Sequence, residues 1–363
     1  MEISKFKDLS TPLFKKWEEY NYDNCEKKSE INCLISKKKL ITKFTSVVNE
    51  MFMDSLLYFN NLDIILFPNV NKLELYSIYN HNLKKYITPY GIRELLLTHK
   101  QFQGIIYQIF YDSKFKFKSV NDIDNKIKEF MGKNRLFSRY KVSLIIFKQN
   151  KKFKKILEDI GLSYFKPSNM LEKSILSTIL LNNKSLEFLN KFNINSFISR
   201  FKESKRYFLK YRKFLYENIE LADHHKFMIF SSTCLYLLGL RKMNDLDLYV
   251  SDLTKNVNTT ELKEKILSKV TDEEYNFIDF SVENTKHWKD YWNTWLTEWA
   301  RLCGTQSFNN ILVDSNYHFY WLGIKVISPE VDIQRRIHRN RPRAYGDLIV
   351  LKREKLYKFD LPT

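Results

Sequence analysis

Two aspartates separated by one residue, Asp245 and Asp247, carry the clearest chemical signal in the sequence. In a β-strand alternate side chains point to the same face, so both carboxylates would project together, roughly 7 Å apart along the backbone. Carboxylate oxygens suit Mg²⁺, and a pair of divalent ions can stabilise the attacking and leaving oxygens of an in-line phosphoryl transfer. The pair therefore predicts a site for divalent cations, Mg²⁺ or Mn²⁺, that would serve phosphate chemistry.

A small polar turn lies shortly before this strand in the chain. Residues 226–230 are an apolar run typical of a buried strand, Ser231 and Ser232 form the turn, and residues 233–239 read as an apolar helix with Gly239 as its C-cap. Such a turn would place backbone N–H groups and the positive end of a helix dipole beside the metal ions. A β- or γ-phosphate would sit there.

This turn, helix and Asp-x-Asp strand resemble the hallmark of the polymerase-β-like nucleotidyltransferase superfamily. The resemblance implies that Asp245 and Asp247 bind the metal ions and that Ser231 and Ser232 contact the nucleotide phosphates. It also implies a third metal-binding carboxylate on a following strand, for which Asp279 fits best and Asp314 is the reserve. The sequence departs from the family at Ser231, where the family has glycine.

The C-terminal segment extends the resemblance to about residue 352. Its lysine, arginine cluster and Asp-Leu pair resemble the branch of the superfamily that includes the AbiEii-type nucleotidyltransferases. By that resemblance Lys325 and Asp347 would be catalytic residues that line the active site, with Arg341 or Arg343 near the triphosphate or the acceptor. Arginine's planar fork matches phosphate oxygens, which makes such a cluster chemically sensible.

Strands and helices that mix without strict alternation predict an α+β domain over residues 221–363, with a nucleotidyltransferase-like small mixed sheet and flanking helices. Strands are expected at 226–230, 245–250 and 275–282, with a strand pair in 310–327. A helix should begin at Ser328-Pro329, and a last one at about Arg343. Four tryptophans at helical spacing in 284–302 predict a packing stripe, with a base-stacking platform as the alternative; they are Trp288, Trp292, Trp295 and Trp299.

Residues 1–220 hold 40 basic and 23 acidic side chains, nearly all of the chain's net charge of +18. We predict a basic, mainly helical region with strand candidates at 62–67 and 141–147, and nucleic acid, RNA above all, as its partner. The alternative is a solvated lysine surface. Segments 148–155 and 202–213 interleave basic and aromatic residues, which predicts either a surface that grips phosphates and stacks bases or the buried stripe of a helix.

The 363 residues contain four cysteines without metal-ligand spacing, which argues against a zinc site or a disulfide scaffold. No run approaches the ~20 apolar residues of a membrane span, and the N-terminus lacks an apolar signal segment. The expectation is a cytoplasmic protein in a reducing compartment, without a membrane partner.

Together these features predict a nucleotidyltransferase that moves a nucleoside monophosphate from an NTP to a hydroxyl, RNA being the first choice of acceptor. A protein, small-molecule or glycan acceptor remains open, because the fold fixes the metal site and not the acceptor groove. The alternative of a different class is a catalytically degenerate domain that serves in RNA binding or assembly, and Ser231 motivates it.

Overall fold

The computed structural model describes part of the chain, with gaps. The described residues are 62–84, 86–112, 116–133, 135–149, 154–159, 161, 163–219, 224, 227–230, 232–243, 246–250, 278–282, 311, 316–339 and 342–359. Several predicted features lie outside them, namely Ser231, Asp245, Asp314, Arg341 and the tryptophan stripe in 284–302.

The chain divides into two compact units, an N-terminal unit Met1–Asn190 and a C-terminal unit Lys191–Thr363. The sequence predicts a boundary 30 residues later, at 220/221. The difference arises because the basic helix Lys202–Asn218 belongs to the C-terminal unit by its contacts. Its Ser204 hydroxyl donates to the carbonyl of Met243 (3.1 Å), and its Arg212 Nε donates to the carbonyl of Leu322 (3.0 Å). Charge composition therefore does not follow the structural division.

The N-terminal unit contains a three-stranded antiparallel sheet, in the order β1-β3-β2. The strands are β1 (Leu62–Pro68), β2 (Ile87–Thr98) and β3 (Arg139–Gln149). The α-helices within the described residues are α1 (Lys72–Ile78), α2 (His99–Ile109), α3 (Val120–Met131), α4 (Lys154–Asp159), α5 (Met170–Leu181) and α6 (Asn183–Lys191). The strand candidates at 62–67 and 141–147 are confirmed as β1 and β3.

Strand β2 was not predicted from the sequence, although helices still outnumber strands in the described part of this unit. Pro89, Gly91 and a charged residue, Arg93, interrupt the apolar alternation that would identify the strand, and the register shifts between Pro89 and Gly91. Arg93 is nevertheless buried, and its guanidinium donates to the carbonyl of Leu180 and to the side chain of Asn183. A buried arginine with such partners is not recognisable from local sequence.

The C-terminal unit is built on a five-stranded mixed sheet in the order β6-β5-β4-β8-β7. Its strands are β4 (Phe227–Phe230), β5 (Leu246–Val250), β6 (Ile278–Val282), β7 (His318–Trp321) and β8 (Ile324–Ile327). Strand β4 is antiparallel to β5 and parallel to β8, while β5 is parallel to β6. The α-helices that the structure describes in this unit are α7 (Lys202–Asn218), α8 (Ser232–Leu237), α9 (Pro329–Arg339) and α10 (Pro342–Arg353). The α+β class and the order of these predicted elements are confirmed.

Aromatic packing fills the core of the C-terminal unit. Trp321 of β7 is fully buried, with its ring centroid 4.0 Å from that of Phe192 and 5.1 Å from that of Phe197. Phe208 and Tyr211 of α7 are also fully buried. The apolar stripe of α7 thus joins the core, which fixes this helix in the same unit as the sheet. None of the helices in the described ranges has both the length and the apolar character required to cross a bilayer.

Candidate active site

The last residue of strand β4 lies beside Asp247, two residues before helix α8 begins. Phe230, the last residue of β4, is the register partner of Asp247 in the antiparallel strand β5, and α8 begins two residues later at Ser232. Helix α8 has six residues and ends in a Schellman motif, in which the amides of Gly239 and Leu240 donate to the carbonyls of Tyr236 and Leu235, both at 2.9 Å. Gly239 has a φ of 76°, as its predicted C-cap role requires.

Strand β6 brings a second aspartate to the level of Asp247. The parallel register of β5 and β6 pairs Asp247 directly with Asp279. Register partners on neighbouring strands lie about 4.8 Å apart across the sheet. For Asp279 the structure describes the backbone only, and Asp247 is half-buried. The backbone therefore places two of the three predicted metal-binding carboxylates at neighbouring positions.

The third predicted ligand, Asp245, directly precedes β5 and lies outside the described residues. Among the residues whose side chains are described, no group of three His, Cys, Asp or Glu side chains clusters as a metal site. Asp247 is the one predicted metal ligand within that set. The strand register therefore supplies the relative positions of Asp247 and Asp279.

Ser232 presents a buried hydroxyl at the start of α8. The residue is 3% exposed, and its Oγ has no hydrogen-bond partner in the described part of the chain. A buried hydroxyl without a partner costs free energy, so such a group usually meets water or a ligand. Because α8 is short, the hydroxyl matters more here than the helix dipole that the sequence suggested.

Lys325 lies on strand β8, on the same face of the sheet as Asp247. Strand β8 pairs Val326 with Ile229 of β4, so Lys325 and Phe230 share a face, and Phe230 is the partner of Asp247. Lys325 is buried, with its Nζ 5.8 Å from the centre of the Tyr320 ring. From the strand spacing, its Cα is roughly 12 Å from that of Asp247, within range of a long side chain and a bound phosphate between them.

Asp347 of α10 takes part in a buried network of ion pairs. Its two oxygens accept hydrogen bonds from Nη1 of Arg241 at 2.8 and 2.9 Å, and one of them also accepts from Nη1 of Arg336. Arg336 Nε in turn donates to Asp332 at 2.7 Å, and Asp332 also pairs with Arg335 at 2.7 Å. Arginine side chains therefore contact both carboxylate oxygens of Asp347.

Charge compensation explains how this network can be buried. Burial by itself would lower the pKa of the Arg336 guanidinium, but the carboxylates of Asp332 and Asp347 raise that pKa overall. Arg343, one turn before Asp347 on α10, is exposed instead of paired with it.

Sequence reasoning missed two members of this network, Arg241 and Asp332. The four-residue spacing of Asp332 and Arg336 could have revealed one pair, whereas Arg241 and Asp347 are 106 residues apart.

The aromatic residues in segment 202–213 are mainly core residues. Phe208 and Tyr211 are fully buried and cannot stack on bases. The outward face of α7 carries exposed basic side chains, Lys202, Arg206 and Lys213. Of the two interpretations of this segment, the buried stripe therefore applies to these aromatic side chains, while the basic side chains remain accessible.

Comparisons of this chain with protein-family profiles, with characterised proteins and with solved structures gave no match. A function for this chain therefore has to be inferred from its residues and their arrangement.

Proposed function

We propose that this chain is a divalent-metal-dependent nucleotidyltransferase, which moves a nucleoside monophosphate from an NTP to a hydroxyl group and releases pyrophosphate, with RNA as the favoured acceptor. The observation that carries the proposal is the register of three neighbouring strands. It sets Phe230, Asp247 and Asp279 side by side, and α8 begins at Ser232, two residues after Phe230. A phosphate-binding turn beside paired carboxylates is the arrangement that nucleotidyl transfer needs.

The chain's donor groups fit Mg²⁺ or Mn²⁺ and a polyphosphate. Asp245, Asp247 and Asp279 would supply carboxylate oxygens, the ligand type that these hard cations prefer. When bound, the cations would neutralise charge on the phosphates and on the attacking oxygen. The buried hydroxyl of Ser232, which has no partner among the described residues, suits a phosphate oxygen.

The chain's own residues would divide the remaining work. Asp279 would orient the acceptor hydroxyl or accept its proton, because its strand position is next to Asp247. Ser231 and Ser232 would hold the phosphates. The ammonium group of Lys325 would balance their negative charge from the same face of the sheet, and Arg341 or Arg343 would do so from the start of α10. Asp347 would contribute indirectly, since arginines engage both of its oxygens.

The test is incorporation of labelled nucleotides by a variant in which Asp245→Asn and Asp247→Asn are combined. The two neutral amides should abolish transfer while the protein stays folded, because the amides bind divalent cations far more weakly than carboxylates do. Asp159→Asn is a matched control, since Asp159 is an exposed residue of α4 in the N-terminal unit. Transfer at the normal rate by the double variant would reject the proposal.

The same assay separates the acceptor classes. Labelled NTPs offered with RNA, with protein and with small sugars or glycans should label RNA if our choice of acceptor is correct. Labelling of another acceptor alone would keep the reaction and replace the acceptor. Salt-sensitive RNA binding without any Mg²⁺-dependent NTP binding would instead favour the degenerate RNA-binding domain, which the Cβ of Ser231 at the phosphate turn motivates.

A further inference from the structure

The described part of the segment that joins α8 to β5, residues 238–243, makes hydrogen bonds near both of its ends. Near its start, the carbonyl of Gly239 accepts a hydrogen bond from Nη1 of Arg200 at 3.1 Å. At its end, the hydroxyl of Ser204 both accepts from the amide of Met243 at 2.8 Å and donates to the carbonyl of the same residue at 3.1 Å. The chain leaves this segment directly into the residues that precede β5 and Asp247. Its placement therefore sets where the Asp-x-Asp strand begins.

We call residues 238–243 the entry segment. An ion pair fixes the middle of this segment. Arg241 projects to Asp347 of α10, and a single nitrogen, Nη1, contacts both carboxylate oxygens at 2.8 and 2.9 Å. The side chain of Asp347 is 9% exposed and that of Arg241 is 23% exposed. A charge-assisted hydrogen bond that is largely removed from water is much stronger than one on an open surface.

Asp347 also accepts a hydrogen bond from a second arginine, which belongs to α9. Arg336 of α9 donates to it and also to Asp332, and the side chains of Arg336 and Asp332 are 7% and 2% exposed. Asp332 also holds Arg335. The carboxylate of Asp347 thus connects helices α9 and α10 to the entry segment. Its oxygens face guanidinium groups, which leaves it badly placed to act as a base on a substrate.

We propose that Asp347 is a positioning residue. It acts through Arg241 to fix the entry segment, and thereby keeps the start of the Asp-x-Asp strand in the position that catalysis requires. The catalytic consequence rests on the nucleotidyltransferase function proposed above. The anchoring itself does not, because it concerns only contacts within the chain.

The first experiment measures anchoring without any catalysis. Hydrogen–deuterium exchange of the full chain is followed in peptides that cover residues 238–250. Arg241→Gln should speed exchange there about tenfold, the effect of losing one hydrogen bond to a charged group. Arg241→Lys should retain most of the protection, because one nitrogen makes both contacts in the native pair. Lys242→Gln removes the same charge from the neighbouring exposed residue and should leave exchange unchanged. Equal exchange in Arg241→Gln and Lys242→Gln would overturn the proposal.

The second experiment asks how Asp347 affects transfer. If Asp347 acts by positioning, Asp347→Asn and Arg241→Gln should lower nucleotide incorporation together, and higher Mg²⁺ concentrations should recover part of the rate in both. Loss of transfer in Asp347→Asn with full activity in Arg241→Gln would show that Asp347 acts on the substrate, against the proposal. Should Asp347→Asn fail to fold, Arg241→Gln still decides, since Arg241 is the more exposed partner.

The two proposals fail in different ways. If the combined Asp245→Asn and Asp247→Asn variant transfers nucleotides normally, the proposed function is wrong, and the exchange of residues 238–250 still tests the anchoring. If exchange is insensitive to Arg241, the anchoring is wrong, whatever the transfer assay shows.

Discussion

Asp279 is the direct register partner of Asp247 across the parallel strands β5 and β6. In the sequence these residues are separated by a long stretch, and the reserve candidate, Asp314, follows later. The strand register places Asp279 on a neighbouring strand at the level of Asp247, a position from which two carboxylates can share a small ion, whereas Asp314 lies outside the described residues. Asp279 is therefore the stronger candidate for the third carboxylate.

We predict that Asp279→Asn lowers nucleotide incorporation by at least about 100-fold, a loss typical of removing one preorganised charge-stabilising group. The protein should remain folded, since the amide has almost the same shape as the carboxylate. Single-turnover incorporation of labelled NTP measures the effect. Asp314→Asn serves as the comparison and should stay close to the wild-type rate. The reverse ranking of the two variants would contradict the assignment.

Gly239 adopts a backbone conformation that only glycine accepts easily, at the C-terminal end of α8. Its φ is 76°, and a Cβ there would lie 2.6 Å from the hydroxyl oxygen of Ser196. Gly239→Ala should lower the free energy of unfolding by about 2 kcal/mol, since both the backbone conformation and the space are wrong for a side chain. Urea denaturation followed by circular dichroism measures this.

Gly346 provides the matched control for that substitution. It lies within helix α10, and a Cβ there would meet nothing within 4 Å. Gly346→Ala should raise the free energy of unfolding by about 0.5–1 kcal/mol, because alanine loses less backbone entropy in a helix. If both alanine variants shifted stability in the same direction, our description of the Gly239 turn would be incorrect.

Local patterns predicted the strands of the C-terminal unit well. An apolar run predicted β4, the alternating residues 245–250 predicted β5, and Ser328-Pro329 predicted the start of α9. The patterns failed where a distant partner decides the structure. Buried Arg93 in β2 depends on acceptors about 90 residues away, and Arg241 depends on Asp347, so neither environment is written in the neighbouring residues.

Cys234 should be unreactive in the native protein. It is 1% exposed, its thiol donates to the carbonyl of Ile327 at 2.9 Å, and burial, together with the charge of Asp332, raises its pKa well above the usual range. The thiolate is the reactive form, so alkylation should be slow in the folded state and rapid in guanidinium chloride. Peptide mapping after iodoacetamide treatment measures both rates. Equal rates in the two states would contradict this burial.

The raised pKa of Cys234 also gives a direction for stability against pH. The unfolded thiol loses its proton near its ordinary pKa of about 8.5, whereas the native thiol keeps its proton to higher pH. The native state therefore binds more protons in that window, and this residue's contribution makes stability fall as pH rises above about 8.5. Cys234→Ala should reduce the slope of unfolding free energy against pH between 8.5 and 10, measured by urea denaturation. An unchanged slope would show that this thiol is not a source of the pH dependence.

The exposed face of α7 predicts how RNA binding should depend on salt. Lys202, Arg206 and Lys213 are exposed and lie on one face of the helix, while the buried aromatic residues beneath them cannot stack on bases. Replacing all three with glutamine should weaken binding of single-stranded RNA and reduce the slope of log affinity against log salt by about 2, since each lost phosphate contact removes about 0.7. Fluorescence anisotropy across a salt series measures the slope.

The control replaces three exposed lysines of the N-terminal unit with glutamine, which makes the same change in net charge; they are Lys84, Lys133 and Lys141. Equal slopes for the two triple variants would show that α7 is not the RNA-binding face.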